Sequence, residues 1–180
     1  MAKKDLELFK EALMNFGASD LNENILKDIS LDQLLFWSMQ ENEPRLSFRS
    51  SWALEHLLLK NPQLLKSCYV QFLSNYLKLS NWSSLRSYTK LIIWILSSKN
   101  KDIKLSELHL ETILEKTFQI VEHTDCPIAV KANGFDILFY LIPYFDWLSI
   151  ELKLLIELSL EKENTPALKS RGANILRKIG

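Results

Sequence analysis

Apolar residues recur along this chain with the spacing of helices. In the last segment they mark one helix face at positions i, i+4, i+7, i+8 and i+11, which are Leu168, Gly172, Ile175, Leu176 and Ile179. Period-two alternation between turn residues, which is typical of half-buried strands, is hard to find. The pattern predicts an all-α chain.

Capping residues divide the pattern into separate helices. Ser30 with Gln33 forms a capping-box pattern, and Asn61 and Thr165 each stand before a proline that suits the first helical position. Ser106 is a further N-cap candidate. The predicted helices cover residues 5–16, 20–28, 30–40, 45–60, 62–78, 82–98, 106–122, 127–142, 149–161 and 166–179.

One predicted helix is apolar around most of its circumference. Between Pro127 and Ile142 two apolar stripes run side by side, one through Phe135 and Leu138 and one through Val130 and Ile137. A helix of this kind has to be covered by neighbours on several sides.

Two segments of the chain repeat one another. CPIAVKANGFDIL at 126–138 and TPALKSRGANIL at 165–176 share a proline, an apolar residue followed by lysine, a glycine and Ile-Leu. Weaker copies occur earlier, and the four apolar-base pairs are Phe48-Arg49, Leu85-Arg86, Val130-Lys131 and Leu168-Lys169. The bases lie 37, 45 and 38 residues apart. Periods of about 40 residues with two helices each are typical of an α-solenoid.

The repeated segment resembles the HEAT repeat family, which places an acid at the turn between two helices and then a proline and an apolar-base pair. Asp125, Pro127, Val130 and Lys131 match that order well, whereas Ser80 cannot supply the acid in the second copy. The resemblance implies a right-handed α-α superhelix of about four hairpins in a single domain, 1–180. Its expected parts are an N-terminal helical cap, 1–29, and repeats at 30–60, 62–98, 106–142 and 147–179.

The repeat assigns structural roles to particular residues. The acid-to-base spacing predicts that each turn carboxylate contacts the base one turn into the following helix of the same repeat. Gly134 and Gly172 are predicted close-packing positions, since glycine costs a helix about 1 kcal/mol relative to alanine and needs a packing reason. The predicted structural set is Glu43, Arg49, Arg86, Asp125, Lys131, Gly134, Glu163, Lys169 and Gly172.

Composition and charge narrow the functional classes. The 22 basic and 22 acidic residues give no net charge, which argues against attraction to nucleic acid or anionic lipid. The first residues are charged throughout and lack an apolar run of signal-peptide length, and no apolar stretch is long enough for a membrane span. We therefore expect a cytoplasmic protein without a membrane partner.

Catalytic motifs are not evident in the sequence. HExxH, CxxC, GxSxG and Gly-rich phosphate-loop patterns do not occur. The densest reactive cluster, Glu122 to Cys126, falls at the turn of the third repeat, where an ordinary polar turn is the preferred interpretation and a metal or thiol site the alternative. We predict a protein that is not an enzyme and has no cofactor or metal.

A polar flank along the second helices is the candidate binding surface. It follows the row after the repeat bases and comprises Tyr88, Asn133, Asp136, Tyr140, Arg171 and Asn174. A plain solvated face is the alternative interpretation of the same residues. The HEAT resemblance favours a non-catalytic scaffold that binds a protein or peptide partner on its concave face. The alternative function is nucleic-acid binding or DNA repair, like that of the DNA alkylation repeat glycosylases, which would need a basic channel.

Overall fold

A computed structural model describes residues 3–15, 17, 29–100, 102–163 and 165–180. In these ranges the regular structure is helical, which confirms the all-α prediction. The helices are α1 Lys3–Asn15, α2 Leu31–Trp37, α3 Pro44–Lys60, α4 Pro62–Lys78, α5 Trp82–Leu96, α6 Glu107–Glu122, α7 Ile128–Leu141, α8 Leu148–Lys162 and α9 Pro166–Ile179. The predicted helix at 20–28 lies outside the described residues.

Several helix starts follow from the capping residues. Ser30 Oγ accepts a hydrogen bond from the backbone N–H of Gln33 at 3.1 Å, and Thr165 Oγ1 accepts one from Leu168 at 3.4 Å. Ser106 and His109 form a reciprocal capping box at the start of α6. These bonds satisfy backbone donors that a helix leaves unpaired at its first turn.

The end of α7 differs from the prediction because of a proline. The helix was expected to reach residue 142, but it ends at Leu141 and continues as a short 3₁₀ helix, Ile142–Tyr144. Pro143 lacks the N–H that the next α-helical hydrogen bond requires, so the chain tightens and turns there.

The chain divides into two compact units, Met1–Leu91 and Ile92–Gly180, and the division falls inside α5. In the first unit, α1 packs on α3, and α2 packs on both α3 and α4. The core of this unit contains large, fully buried side chains such as Trp37, Phe72, Tyr76 and Tyr88. The single domain over 1–180 stays a prediction.

In the second unit, α7 is the central helix. It packs against α6, α8 and α9, which explains why its sequence is apolar around most of its circumference. Phe135, Ile137, Leu138 and Leu141 are all fully buried. No helix in the described ranges combines the length and apolarity that crossing a membrane requires.

Both repeat glycines lie where a neighbouring helix comes close. A Cβ added to Gly134 would collide with the Val121 side chain of α6. A Cβ added to Gly172 would lie 2.8 Å from Ile156 Cγ2 of α8, which is shorter than carbon atoms tolerate. Glycine at these positions therefore allows the close approach of the first helix of each hairpin to the second.

Candidate binding surface

Tyr88 does not belong to the predicted polar flank, and its placement there was wrong. Its side chain is 0% exposed and stacks on Phe72 with ring centroids 4.6 Å apart. The hydroxyl lies 2.6 Å from Ser38 Oγ and accepts a hydrogen bond from Asn75 Nδ2 at 3.4 Å. Burial raises the pKa of Tyr88 to about 12, although both hydrogen bonds oppose the shift.

The reason is that α5 is buried over a wide face, since Ser84, Leu85 and Thr89 are buried together with Tyr88. Ser47 and Ser84 hydrogen-bond to each other at 2.9 Å, 37 residues apart in the sequence. The apolar residue of the first repeat pair, Phe48, is 36% exposed, whereas Leu85 of the second pair is 2% exposed.

A buried network of polar side chains includes Ser47, Ser84 and Tyr88. The periodic pattern of apolar residues does not reveal it. Ser47 Oγ donates to the Ser38 carbonyl at 2.6 Å, and Asn75 Nδ2 donates to the Leu35 carbonyl at 2.9 Å. The network therefore joins α2, α3, α4 and α5 within the first unit. The signal in the sequence that could have revealed it is the pair of serines spaced by one repeat period.

The repeat carboxylates contact bases, but not those predicted. Lys131 Nζ, with its side chain only 9% exposed, lies 2.9 Å from Glu163 Oε1, which belongs to the next repeat. Glu43 pairs with Lys10 of α1 at 3.2 Å. Among the ion pairs of the described residues, none joins Asp125 to Lys131. The carboxylates of Glu43 and Glu163 thus connect successive helix pairs. These two ion pairs do not join the turn of a repeat to the second helix of the same repeat.

The other predicted bases have different surroundings. Arg49 Nε donates to the Leu13 carbonyl at 3.0 Å, and its guanidinium lies 4.8 Å from the Trp52 ring centroid. Arg86 and Lys169 are exposed. The ion-pair partners of Glu43 and Glu163 in the described residues are Lys10 and Lys131, respectively.

Five of the predicted flank residues lie on α7 and α9, with Asp136 and Arg171 at the centre. Asp136 Oδ2 lies 2.7 Å from Arg171 Nη1, and the carboxylate side chain is 15% exposed. Burial raises the pKa of Asp136, and the Arg171 guanidinium opposes this shift. Asn174 Oδ1 accepts a hydrogen bond from Arg177 Nη2 at 3.1 Å on the same helix.

Two further flank residues, Asn133 and Tyr140, are half-buried on α7. Beside them, Lys178 Nζ of α9 lies 5.3 Å from the centroid of the Phe139 ring. The predicted flank, without Tyr88, is therefore a surface of α7 and α9 that combines an ion pair, amide groups and aromatic rings. We call it the α7–α9 flank, and its residues are Asn133, Asp136, Tyr140, Arg171 and Asn174.

The reactive cluster at the turn after α6 forms local contacts. His123 Nδ1 accepts a hydrogen bond from the Asp125 N–H at 3.1 Å, and both side chains are exposed. Burial raises the pKa of the Cys126 thiol to about 11; nearby Lys131 lowers it and Glu163 raises it. Within the described part of the chain, no three His, Cys, Asp or Glu side chains gather as a metal site would require.

Both cysteines are expected to react slowly in the native protein. Cys68 and Cys126 are buried, and burial raises each thiol pKa to about 11, so that the thiolate is scarce at pH 8. We expect modification by a chromogenic disulfide reagent at pH 8 to be about 100-fold slower than that of free cysteine. In urea both thiols should react fully. A Cys68→Ser variant that still reacts rapidly under native conditions would show an accessible thiolate at Cys126.

The sequence that forms these helical hairpins and close-packed glycines was compared with known protein families, curated proteins and solved structures. A family model described as a HEAT repeat domain matches residues 8–179. The chain belongs to this family. A search of curated proteins gave no match, and neither did a search of solved structures. Membership of the HEAT repeat family agrees with the α-solenoid class, and proteins of this class characteristically use extended surfaces for binding.

Proposed function

We propose that this HEAT repeat domain is a non-catalytic protein-binding module whose α7–α9 flank holds an acidic segment of a partner. The observation that carries the proposal is the charge of α9. This helix has four basic residues, all exposed, and no acidic residue: Lys169, Arg171, Arg177 and Lys178. Positively charged surface of this kind favours carboxylate-rich partners and accelerates their association.

Arg171 is the expected anchor for a partner carboxylate. Its side chain is 45% exposed while one of its terminal nitrogens pairs with Asp136 at 2.7 Å. A guanidinium has five N–H donors in a fixed plane, so it can keep the intramolecular pair and bind a second carboxylate through other donors. Asp136 would hold the guanidinium in place before the partner arrives, which lowers the entropy cost of binding.

Nucleic-acid binding is the second candidate, and the same α9 cations favour it. Two observations favour the protein partner over it. Lys90 and Lys131, which could have contributed to a basic channel, are already paired with carboxylates. Lys169 and Arg171 point about 200° apart around the helix, so the four cations do not form the continuous strip that a duplex backbone would require.

The test compares two labelled probes, a poly-glutamate peptide and a duplex DNA, by fluorescence anisotropy over a range of salt concentrations. We expect the full chain to bind the peptide, and the variant Arg171→Gln/Arg177→Gln/Lys178→Gln to bind it at least tenfold more weakly. The matched control is Lys153→Gln/Lys162→Gln, which removes two exposed lysines of α8 and should leave peptide affinity unchanged.

Two results would contradict the proposal. Equal peptide affinity in both variants would place acidic binding elsewhere. Tight duplex binding with a steep salt dependence, lost in the α9 variant, would establish the nucleic-acid function in its place. Circular dichroism of each variant shows that the fold is intact.

Affinity capture from the native cell followed by mass spectrometry then identifies the partner. The cytoplasmic location stays a prediction.

A further inference from the structure

Helix α8 carries two apolar faces, and only one of them is covered. Leu148, Leu152 and Ile156 are fully buried in the core of the second unit. On the other side four apolar residues follow one another at i, i+3, i+7 and i+11. They are Trp147, Ile150, Leu154 and Leu158, and their exposed fractions are 51%, 68%, 55% and 48%, respectively. Scattered exposed leucines are ordinary, but a continuous stripe over three turns marks an interaction surface.

A groove runs along this stripe between α8 and the end of α6. Its apolar wall is formed by Val121, Leu154, Leu155 and Leu158, and its polar floor includes the Lys131–Glu163 pair. At the other end of the stripe, the Trp147 ring stacks on Phe118 of α6 with centroids 6.1 Å apart. The apolar surface therefore extends from one helix to the other.

The two helices that border this groove carry an excess of negative charge. Helices α6 and α8 together carry three lysines and seven glutamates, and all seven glutamates are exposed: Glu107, Glu111, Glu115, Glu122, Glu151, Glu157 and Glu161. Glu122 and Glu151 line the groove directly, with Lys162 as the exposed base among them. Lys116 is half-buried, and burial lowers its pKa. An occupant with basic residues complements this surface.

We propose that the groove between α6 and α8 docks a basic amphipathic helix of a partner protein. The apolar residues of that helix, at i, i+3 or i+4, and i+7, would pack on Leu154 and Leu158, with Trp147 at one end. Its lysines or arginines would face Glu122 and Glu151. From Trp147 to Leu158 the stripe extends about 17 Å, the length of a helix of three turns. This site is separate from the α7–α9 flank and does not depend on it.

The negative charge decides between possible occupants. An anionic membrane would be repelled by the exposed glutamates, and an acidic helix would be repelled in the same way. A second copy of the chain would bring two stripes together, but it would also oppose glutamates to glutamates around a twofold axis. A basic helix satisfies both the apolar stripe and the charge around it.

The test titrates the full chain with a fluorescein-labelled, 14-residue amphipathic helix of leucine and lysine. A helix of leucine and glutamate with the same pattern is the first control, and a scrambled leucine–lysine peptide is the second. We expect the leucine–lysine helix to bind at least tenfold more tightly than either control. Leu154→Ser/Leu158→Ser should reduce this affinity at least tenfold, whereas Val70→Ser, at a residue that is 59% exposed on α4, should not change it.

A second variant separates charge from apolar contact. Glu122→Gln/Glu151→Gln should weaken binding several-fold and make it less dependent on salt, because two facing carboxylates are lost. Equal binding of the scrambled peptide, or equal affinity in all variants, would overturn the proposal. Dimerisation of the wild type in sedimentation that Leu154→Ser/Leu158→Ser abolishes would make a second copy the occupant instead. Binding to vesicles with 30% anionic lipid that the same variant loses would assign the stripe to a membrane.

Discussion

Replacing Tyr88 by alanine is expected to lower the free energy of unfolding by about 3–5 kcal/mol, the usual cost of removing a large buried aromatic ring. The ring is 0% exposed and stacks on Phe72, so alanine would leave a cavity in the core of the first unit. It would also leave Ser38 and Asn75 without their shared partner. The shift of the urea unfolding midpoint, followed by circular dichroism, measures the effect.

The matched control is Tyr144→Ala, because Tyr144 is 58% exposed and should change stability by no more than about 0.5 kcal/mol. Tyr88→Phe separates the hydroxyl from the ring and should cost about 0.5–1.5 kcal/mol through the lost hydrogen bonds, because Ser38 and Asn75 each keep a bond to the Leu35 carbonyl. A Tyr88→Ala protein as stable as the wild type would contradict the buried position and would return Tyr88 to the surface.

Tyr88→Phe should also change the alkaline stability profile. The folded-state pKa of about 12 lies above the ordinary value of 10, so the buried phenol is harder to ionise than in the unfolded chain. Its contribution to stability is present in full below pH 10 and is lost as the pH rises towards 12. The wild type should therefore lose more stability than Tyr88→Phe between pH 9 and about pH 11, as measured by urea midpoints.

Replacing Gly134 by leucine should destabilise the second unit by at least about 2 kcal/mol, even though leucine is a far better helix former. The new side chain would have to displace Val121, which is 3% exposed and packed between α6 and α7. Displacing it forces the two helices apart or drives side chains out of their preferred rotamers. The melting temperature and the urea midpoint both report this loss.

Ala129→Leu is the matched control, since Ala129 is exposed in the first turn of the same helix and has room for a larger side chain. A second test adds Val121→Ala to Gly134→Ala. If the two sites are in contact, the double variant should be more stable than the sum of the single effects predicts. An unchanged melting curve for Gly134→Leu would show that the close approach of α6 and α7 does not exist in solution.

Most of the helices could be predicted from the sequence because caps and prolines act locally. Ser30, Ser106 and Thr165 each hydrogen-bond to a backbone N–H within the next three residues. The repeat glycines could be identified for a similar reason, since glycine inside a helix needs a packing partner. The identity of that partner, Val121 or Ile156, depends on tertiary contacts that no local pattern contains.

The burial of Ser47, Ser84 and Tyr88 could not be predicted because these side chains are polar. A serine can be buried at little cost when a partner at the same repeat position satisfies its hydroxyl. The pattern of apolar residues identified Leu85, which is 2% exposed, but it gave no sign that the adjacent Ser84 and the nearby Tyr88 are buried as well.

The residues of the proposed binding surfaces depend even more on the assembled helices. Asp136 and Arg171 are 35 residues apart and meet only because α7 and α9 pack together. The exposed apolar stripe of α8 could not be predicted either, because the sequence shows that a residue is apolar but not whether a neighbouring helix covers it. Leu154 and Leu152 look alike in the sequence, but one is 55% and the other 0% exposed.

The separation of charge between the helices of the second unit has a kinetic consequence. Helices α6 and α8 are acidic overall and α9 is basic, although the whole chain has no net charge. Such a charge distribution orients an approaching charged molecule before contact. At physiological salt this electrostatic effect extends over about 8 Å. The acidic and basic partners proposed above would therefore associate faster than uncharged ones, most of all in dilute salt.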